Sequence, residues 1–310
     1  MDRRLDGDQG LTSVPYGEAP SRGNPGRRLS TFLFHHPRAR LAALLAAPFA
    51  WLFVAYLGSL AVLFVTAFWT VDPFTGDVVR EFSLDNFRTL WETEVYRRIT
   101  LRTVGLAAAV TVTDALLALP IAYYMARVAS PRTRGILVVA ILMPLWASYL
   151  VKVYAWRTIL AGEGILNWML EPLGLTGPGY TTTGTWLVFT YLWLPFMILP
   201  VYAGLERIPN SLLEASSDLG GRGLTTFRRV VFPLAVPAIV AGSIFTFSLT
   251  LGDYITPQIV GNTNFIGNVV YTNVGVANNL PFAAAFATVP VLIMVVYLAL
   301  ARRAGAFESL

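Results

Sequence analysis

Six long apolar segments separate polar stretches along most of this chain. They lie at about residues 41–69, 103–126, 135–155, 185–205, 231–252 and 282–301. A helix needs about 20 apolar residues to cross a bilayer, and these segments are of that length. A surface helix of a soluble protein would instead carry one apolar stripe on an otherwise polar face. The pattern therefore predicts an all-α polytopic membrane protein with six transmembrane helices.

Composition supports this class of protein. Of the 310 residues, 55% are hydrophobic and 13% are charged, whereas soluble domains carry about 25% charged residues. The chain has no cysteine, which excludes disulfides, thiolate metal sites and thiol nucleophiles. The net charge of +5 is compatible with nucleic-acid binding or with arginine-rich loops of a membrane protein. The distribution of the arginines favours the second interpretation, and no nucleic-acid partner is expected.

Basic residues concentrate in alternate connections between the apolar segments. The 127–134 and 206–230 connections and the C-terminal end are basic, while 70–100 carries six acids against four arginines and 253–281 carries no basic residue. Arginine and lysine accumulate in cytoplasmic loops. The pattern predicts that both termini are cytoplasmic, although Lys152 and Arg157 beside the 156–184 connection do not fit it.

The polar segments divide the chain further. Residues 1–40 are predicted to form a disordered cytoplasmic tail, 41–98 the first transmembrane helix with an external amphipathic segment, and 304–310 a second cytoplasmic tail. The spacing at 83–103 predicts an amphipathic surface helix. Residues 164–175 predict a short external helix stopped by Pro172 and Gly174. His35 and His36 have no companion ligands nearby in the sequence, so no metal site is expected.

The 206–230 connection is long and internally organised. Pro209 can begin a helix, Ser211 and Glu214 have the spacing of a capping box, and the Gly220-Gly221 pair can end that helix. A second short helix at 224–231 would lead into the fifth span. The sequence predicts a helix–glycine–helix loop projecting into the cytoplasm. Two amphipathic helices that merely cover the loop would give the same pattern.

The spacing within this loop resembles the EAA loop of permease subunits in type I ABC importers, whose pattern is E-A-A-x3-G-x9-I-x-L-P. The matching positions are Glu214, Ala215, Ser216, Gly220, Val230, Phe232 and Pro233. The chain departs from the pattern conservatively at Ser216, Val230 and Phe232. The resemblance implies the type I ABC importer permease fold, with five core helices in 99–303 and a coupling loop at 207–230 that docks on an ATPase subunit.

Three further stretches are similar to spermidine/putrescine-type permeases: 100–127, 141–175, and 251–270 with its Gly-Asp-Tyr-x-Thr-Pro signature. The resemblance covers about 40–305. It implies a subunit of the bacterial plasma membrane that transports polyamines or a related amine-containing solute; an opine or another small organic solute stays an alternative. It also implies a second permease subunit, which makes a heterodimer, two ATP-binding cassette ATPases and an extracytoplasmic binding protein.

No catalytic motif is present in the chain. Lys152 is its single lysine and lies outside any glycine-rich loop, so a phosphate-binding loop is absent and ATP hydrolysis with Mg must belong to a separate subunit. No bound cofactor is expected. An ion-driven secondary transporter would show inverted repeats, and a membrane-embedded enzyme would cluster His, Asp or Glu within its spans; neither pattern is found.

Two acidic residues within or beside apolar segments are candidates for substrate contact, because such groups are costly in a membrane. Asp253 precedes Tyr254 and Pro257, and Pro257 is expected to break the helix there. A carboxylate beside an aromatic ring and an unwound backbone would suit the binding of a cationic amine. That Asp253 instead caps the end of the helix is the equal alternative. Asp114 is expected to hydrogen-bond a neighbouring helix or to line the pathway. Aromatic and amide residues that would line an outward vestibule, or anchor the chain at the membrane interface, are Tyr149, Trp156, Tyr271 and Asn278.

Overall fold

The computed structural model describes Phe34 and residues 37–303. The predicted tail at 304–310 and most of the tail at 1–40 lie outside the described residues. The chain divides into two compact units, up to Ala61 and from Val62 onward. Its helices and strands follow in chain order: α1 Pro37–Leu52, a π-helical turn Phe53–Leu57, α2 Gly58–Thr66, β1 Thr70–Val71, β2 Val78–Val79, α3 Asp85–Glu92, α4 Glu94–Arg127, α5 Pro131–Trp146, α6 Tyr149–Leu160, α7 Ile165–Leu170, a 3-10 turn Glu171–Leu173, α8 Thr182–Glu206, α9 Asn210–Asp218, α10 Gly223–Thr226, a π-helical turn Phe227–Val231, α11 Phe232–Gly252, α12 Ile255–Val260, α13 Ile266–Gly275 and α14 Leu280–Arg303.

Long apolar helices account for most of the predicted spans. Within the described residues, five helices are long and apolar enough to cross a membrane: Leu44–Thr66, Glu94–Val128, Thr182–Glu206, Gly223–Gly252 and Leu280–Arg303. A sixth span results if the bent pair α5 and α6 is counted as one. The all-α, six-span prediction is thereby confirmed, while the cytoplasmic placement of both termini stays a prediction.

The third predicted span is not the continuous helix expected over 135–155. The helix axis turns by 93° between α5 and α6. Ala147 and Ser148 adopt extended backbone conformations there, with ψ of 142° and 136°. These two residues leave the helical region of backbone space and so end the intrahelical hydrogen-bond ladder. The bend at these two residues was not predicted, because an apolar run carries no signal for a bend.

The predicted amphipathic helix at 83–103 is also interrupted. Helix α3 ends at Glu92, and Thr93 is extended with ψ of 114°. Helix α4 begins at Glu94 and runs for 34 residues without a break into the second span. The boundary predicted near residue 103 was therefore wrong, because the polar first turns of α4 belong to the transmembrane helix. By contrast, a short helix is present within 164–175 as predicted, and it ends at Gly174 with φ of +66°, while its external placement stays a prediction.

Helices α4, α8 and α11 pack against one another and form the centre of the bundle. Small residues permit this close approach: a Cβ at Gly242 would lie 2.8 Å from Met197 Sδ and 3.2 Å from Met197 Cα. Apolar side chains from all three helices fill the interior, as shown by Ala122, Val201 and Ala235. Small residues at helix contacts are the usual means of tight packing in membranes. Many large apolar side chains remain exposed on the outside, as a lipid-facing surface requires.

Candidate coupling loop and substrate pathway

The 207–230 loop contains the predicted helix, glycine turn and second helix. Helix α9 ends in a Schellman motif: Gly221 N–H donates to Ser216 O at 2.8 Å, and Gly220 N–H donates to Ser217 O at 2.9 Å. Gly220 has φ of +77°, which glycine adopts without steric cost. The predicted capping box at Ser211 and Glu214 was wrong, because the N-cap residue of α9 is Pro209, which makes no side-chain cap hydrogen bond, and Ser211 already lies within the helix.

A hydroxyl pair holds the two helices of the loop together. Ser216 Oγ lies 2.8 Å from Thr226 Oγ1, so Ser216 points into the loop. Gly221 lies between these helices, and a Cβ there would come 2.6 Å from Ser216 O. The sequence assigned Gly221 to the end of helix α9 together with Gly220, and it did not predict that Gly221 also packs between the two helices of the loop.

The outer surface of this loop is apolar at its tip. Leu219 is 90% exposed and Leu224 is 80% exposed, on either side of the glycine pair. Glu214 and Ala215 are also exposed. Sequence reasoning missed both leucines, although apolar residues flanking a solvent-exposed turn are the signal of a docking surface.

The inner face of the loop packs on the bundle. Leu213 and Phe227 contact the core formed by α4, α8 and α11. The residues matched at the end of the motif continue directly into α11, where Val230 is half-buried and Phe232 and Pro233 are exposed. The loop thus combines an anchored inner face with an exposed apolar tip.

Asp253 lies at the other end of α11, between α11 and α12. Its Oδ1 accepts hydrogen bonds from the backbone N–H groups of Ile255 and Thr256, at 2.8 and 3.2 Å. Its Oδ2 accepts from Thr256 Oγ1 at 2.9 Å and from the Tyr149 hydroxyl. A carboxylate has about four acceptor positions, so this one is fully engaged. The capping alternative matches these contacts. Pro257 does not break a helix, since it lies in the first turn of α12.

Tyr254 and Tyr271 form a stacked pair beside this carboxylate. Their ring centroids are 4.7 Å apart, with 16° between the planes. Both line a cavity of about 340 Å³ together with Gly252, Gly267 and Pro290. A Cβ at Gly267 would lie 2.9 Å from Tyr254 Cβ, so glycine permits α13 to approach the chain break. Two of the predicted pathway residues therefore share one largely apolar cavity.

The remaining vestibule candidates do not join this cavity. Trp156 packs against Tyr191 of α8, with ring centroids 5.3 Å apart. Asn278 is exposed in the turn before α14 and has φ of +54°, the left-handed conformation that asparagine tolerates.

Asp114 lies on the buried face of α4 and is fully inaccessible. The expected hydrogen bond to a neighbouring helix is contradicted, because neither carboxylate oxygen has a partner among the described residues. One turn earlier, Thr111 Oγ1 accepts a hydrogen bond of 3.4 Å from Thr246 of α11. Asp114 therefore belongs to the helix-packing interior, and it lines no cavity together with the tyrosine pair.

Two solved structures share the fold of this chain. A chain of a bacterial alginate ABC transporter, solved in complex with an alginate-bound periplasmic protein, matches with a TM-score of 0.72 at 17% identity, covering 89% of this chain and 98% of that one. A chain of the MetNI methionine ABC transporter matches with a TM-score of 0.53 at 17% identity, covering 70% and 95%. The fold is that of an ABC transporter membrane subunit.

The family follows from sequence. Residues 92–305 match the model of the binding-protein-dependent transport system inner membrane component, and the chain belongs to that family. It is 48% identical over 309 residues to the inner membrane ABC transporter permease protein YdcU of Escherichia coli, covering 94% of this chain and 98% of that protein. It is 30% identical over 244 residues to the spermidine/putrescine transport system permease protein PotB of Haemophilus influenzae, covering 76% and 84%. The chain is a non-catalytic, multi-pass permease of the bacterial inner membrane, and ATP hydrolysis belongs to a separate subunit.

Proposed function

We propose that this chain is one permease subunit of an ATP-driven importer for polyamines or a related amine-containing solute. Its partners are a second permease of different sequence, two ATP-binding cassette ATPases and an extracytoplasmic binding protein that delivers the solute. Both termini lie in the cytoplasm. The 207–230 loop is the coupling element: Leu219, Leu224 and Glu214 meet the ATPase, and ATP-driven closure of the ATPases moves α9 and switches access to the pathway.

The spermidine/putrescine permeases among its relatives are the observation that carries the proposed substrate class. The tyrosine cavity supports it. Ligand cavities measure about 300–1,000 Å³, and the cavity of about 340 Å³ is at the small end of that range. Apolar walls suit the methylene chain of a linear amine, and the face of an aromatic ring attracts an ammonium group. Tyr271, which is 44% exposed, supplies that ring.

Asp253 contributes negative charge beside the cavity. Because its four acceptor positions are filled within the chain, direct contact with an ammonium group would require release of the Tyr149 hydroxyl. We therefore place the first recognition of the solute at Tyr254 and Tyr271, and assign to Asp253 the electrostatic field and the positioning of Tyr254.

The test is uptake into proteoliposomes that contain the complete complex and its binding protein. Labelled putrescine and spermidine are compared with a neutral sugar, in the wild type and in Tyr271→Leu and Tyr271→Phe. We expect uptake of an amine and a several-fold loss in Tyr271→Leu, whereas Tyr271→Phe retains uptake because it keeps the ring. Transport of the neutral solute alone would refute the substrate class. Equal uptake by both variants would refute the role of the ring.

A further inference from the structure

The side chain of Arg127 joins three parts of the chain. Arg127 is the last residue of α4. Its Nη1 donates to Asn210 Oδ1 at 2.9 Å, and its Nη2 donates to the carbonyl oxygens of Leu205 and Ile208, both at 2.6 Å. Leu205 belongs to the last turn of α8, and Asn210 is the first residue of α9. One guanidinium group of the second span therefore contacts the end of the fourth span and the helix of the coupling loop.

These contacts have a clear physical basis. The carbonyl groups at the end of α8 lack intrahelical partners, and a cation near a helix C-terminus interacts favourably with the helix dipole. The guanidinium is planar and presents several donors at fixed angles, so it can serve two carbonyls and an amide at once. A lysine ammonium at the same position could not reproduce that fork. We call Arg127, Leu205, Ile208 and Asn210 the Arg127 bridge.

A second arginine extends the connection to α5. Arg134 Nε donates to Met125 O at 3.0 Å, at the end of α4. Its Nη1 forms an ion pair of 3.1 Å with Glu206, the last residue of α8. The ends of α4, α5 and α8 are thereby fixed to one another. Through Asn210, the hydrogen bonds of these arginines reach helix α9 itself.

We infer that Arg127 is a positioning residue that makes α9 and the end of α4 move as one rigid unit. This inference rests on the proposed coupling role of the 207–230 loop. When the ATPase displaces α9, the bond to Asn210 carries the displacement into the end of α4, the helix at the centre of the bundle. Leu213 fixes α9 by apolar contact, which resists separation but leaves sliding possible. The directional bonds of the bridge prevent sliding.

Distance measurements in the complete complex test this inference. The chain has no cysteine, so spin labels can be attached at cysteines introduced at two exposed sites, Tyr124 of α4 and Ser217 of α9. The label–label distance is measured by electron spin resonance in nanodiscs, without nucleotide and after trapping with ATP, Mg²⁺ and vanadate. We expect one narrow distance that trapping leaves unchanged in the wild type. Arg127→Gln and Asn210→Ala should lose it, giving a broad or shifted distribution after trapping.

Matched variants separate the bridge from simple helix capping. Asn210→Ala removes the hydrogen bond between Arg127 and α9 and leaves both carbonyl contacts of Arg127 in place. This variant therefore tests the inference even if Arg127→Gln fails to insert into the membrane. Asn210→Asp keeps an acceptor and should retain the narrow distance. Arg132→Gln makes the same charge change at an exposed residue of the same connection and should also retain it.

Three outcomes would count against specific statements. A narrow, unchanged distance in Asn210→Ala would overturn the inference and reduce Arg127 to a cap of α8. A wild-type distance that itself changes on trapping would overturn it as well. Failure of the wild-type chain to retain an ATPase subunit on purification would instead overturn the proposed function, so the two failures are distinguishable.

Discussion

Replacing Gly220 with valine should impair coupling without impairing membrane insertion. Gly220 holds φ of +77°, and a Cβ added there would have no heavy atom within 4 Å outside its own chain neighbours. The cost is therefore conformational and not a clash. An L-residue in the left-handed region costs roughly 1–2 kcal/mol, and a β-branched residue lies at the unfavourable end. Since about 1.4 kcal/mol is a factor of ten, the correctly turned loop should fall about tenfold in population.

Neighbouring glycines supply the controls for this experiment. Gly220→Asn should remain close to the wild type, because asparagine tolerates the left-handed conformation. Gly223→Ala should be neutral, since a Cβ there also meets open space and its φ lies outside the left-handed region. Gly221→Ala should impair coupling for a different reason, because its Cβ would lie 2.5 Å from Ser216 Oγ and force the two helices of the loop apart.

The assay is the amount of ATPase subunit that co-purifies with each variant, normalised to the permease recovered from the membrane. The expected order of retention is wild type, Gly223→Ala and Gly220→Asn first, with Gly220→Val and Gly221→Ala well below them. Equal retention by Gly220→Val and Gly223→Ala would refute the reasoning, because the left-handed turn would then be irrelevant to docking. Loss of the permease itself from the membrane in Gly220→Val would also refute it.

Three further changes test the packing. Asp114→Leu should raise the melting temperature in detergent, because an unpartnered buried polar group costs about 1–3 kcal/mol; a lower melting temperature would show that Asp114 has a stabilising partner. Tyr149→Phe removes the hydroxyl that donates to Asp253, a hydrogen bond that contributes about 1 kcal/mol to stability. Hydrogen exchange of the backbone amides at 253–260 should therefore become faster. An unchanged exchange rate would contradict the hydrogen bond. Gly242→Ala forces its Cβ onto Met197 and should lower the free energy of unfolding by about 1–3 kcal/mol. Gly105→Ala is the control, because its Cβ meets open space and should not lower that free energy. Equal melting temperatures for the two variants would contradict the packing of Gly242 against Met197.

Features encoded locally were predictable from the sequence. A run of about 20 apolar residues is enough to predict a transmembrane helix. The turn at Gly220 was predictable because glycine is favoured wherever φ is positive. The break at Ala147 and Ser148 was not, since neither residue disfavours a helix strongly enough to predict an end there. Pro144 gave no warning either, because prolines inside α4, α8 and α14 leave those helices continuous.

Long-range contacts explain the remaining differences. Tyr149 and Asp253 are separated by 104 residues, and their hydrogen bond depends on how α6 and α12 are brought together. The Arg127 bridge likewise joins residues about 80 positions apart. The sequence identified these arginines as determinants of topology, and the same side chains also end helices. The unpartnered state of Asp114 depends on the packing of three helices, which no local pattern describes.

The short fifth helix has a consequence for the surrounding lipid. Helix α5 has 16 residues, none of them buried within the described chain, and extends roughly 24 Å. The hydrocarbon core of a bilayer is about 30 Å thick, and α6 turns by 93° away from the axis of α5. A span shorter than the hydrocarbon core is accommodated by local thinning of the bilayer, by snorkelling of flanking residues or by oligomerisation, each at a cost of fractions of a kcal/mol per Å. The free energy of this subunit in the membrane therefore depends on the length of the lipid acyl chains, and lipids with shorter chains reduce the mismatch.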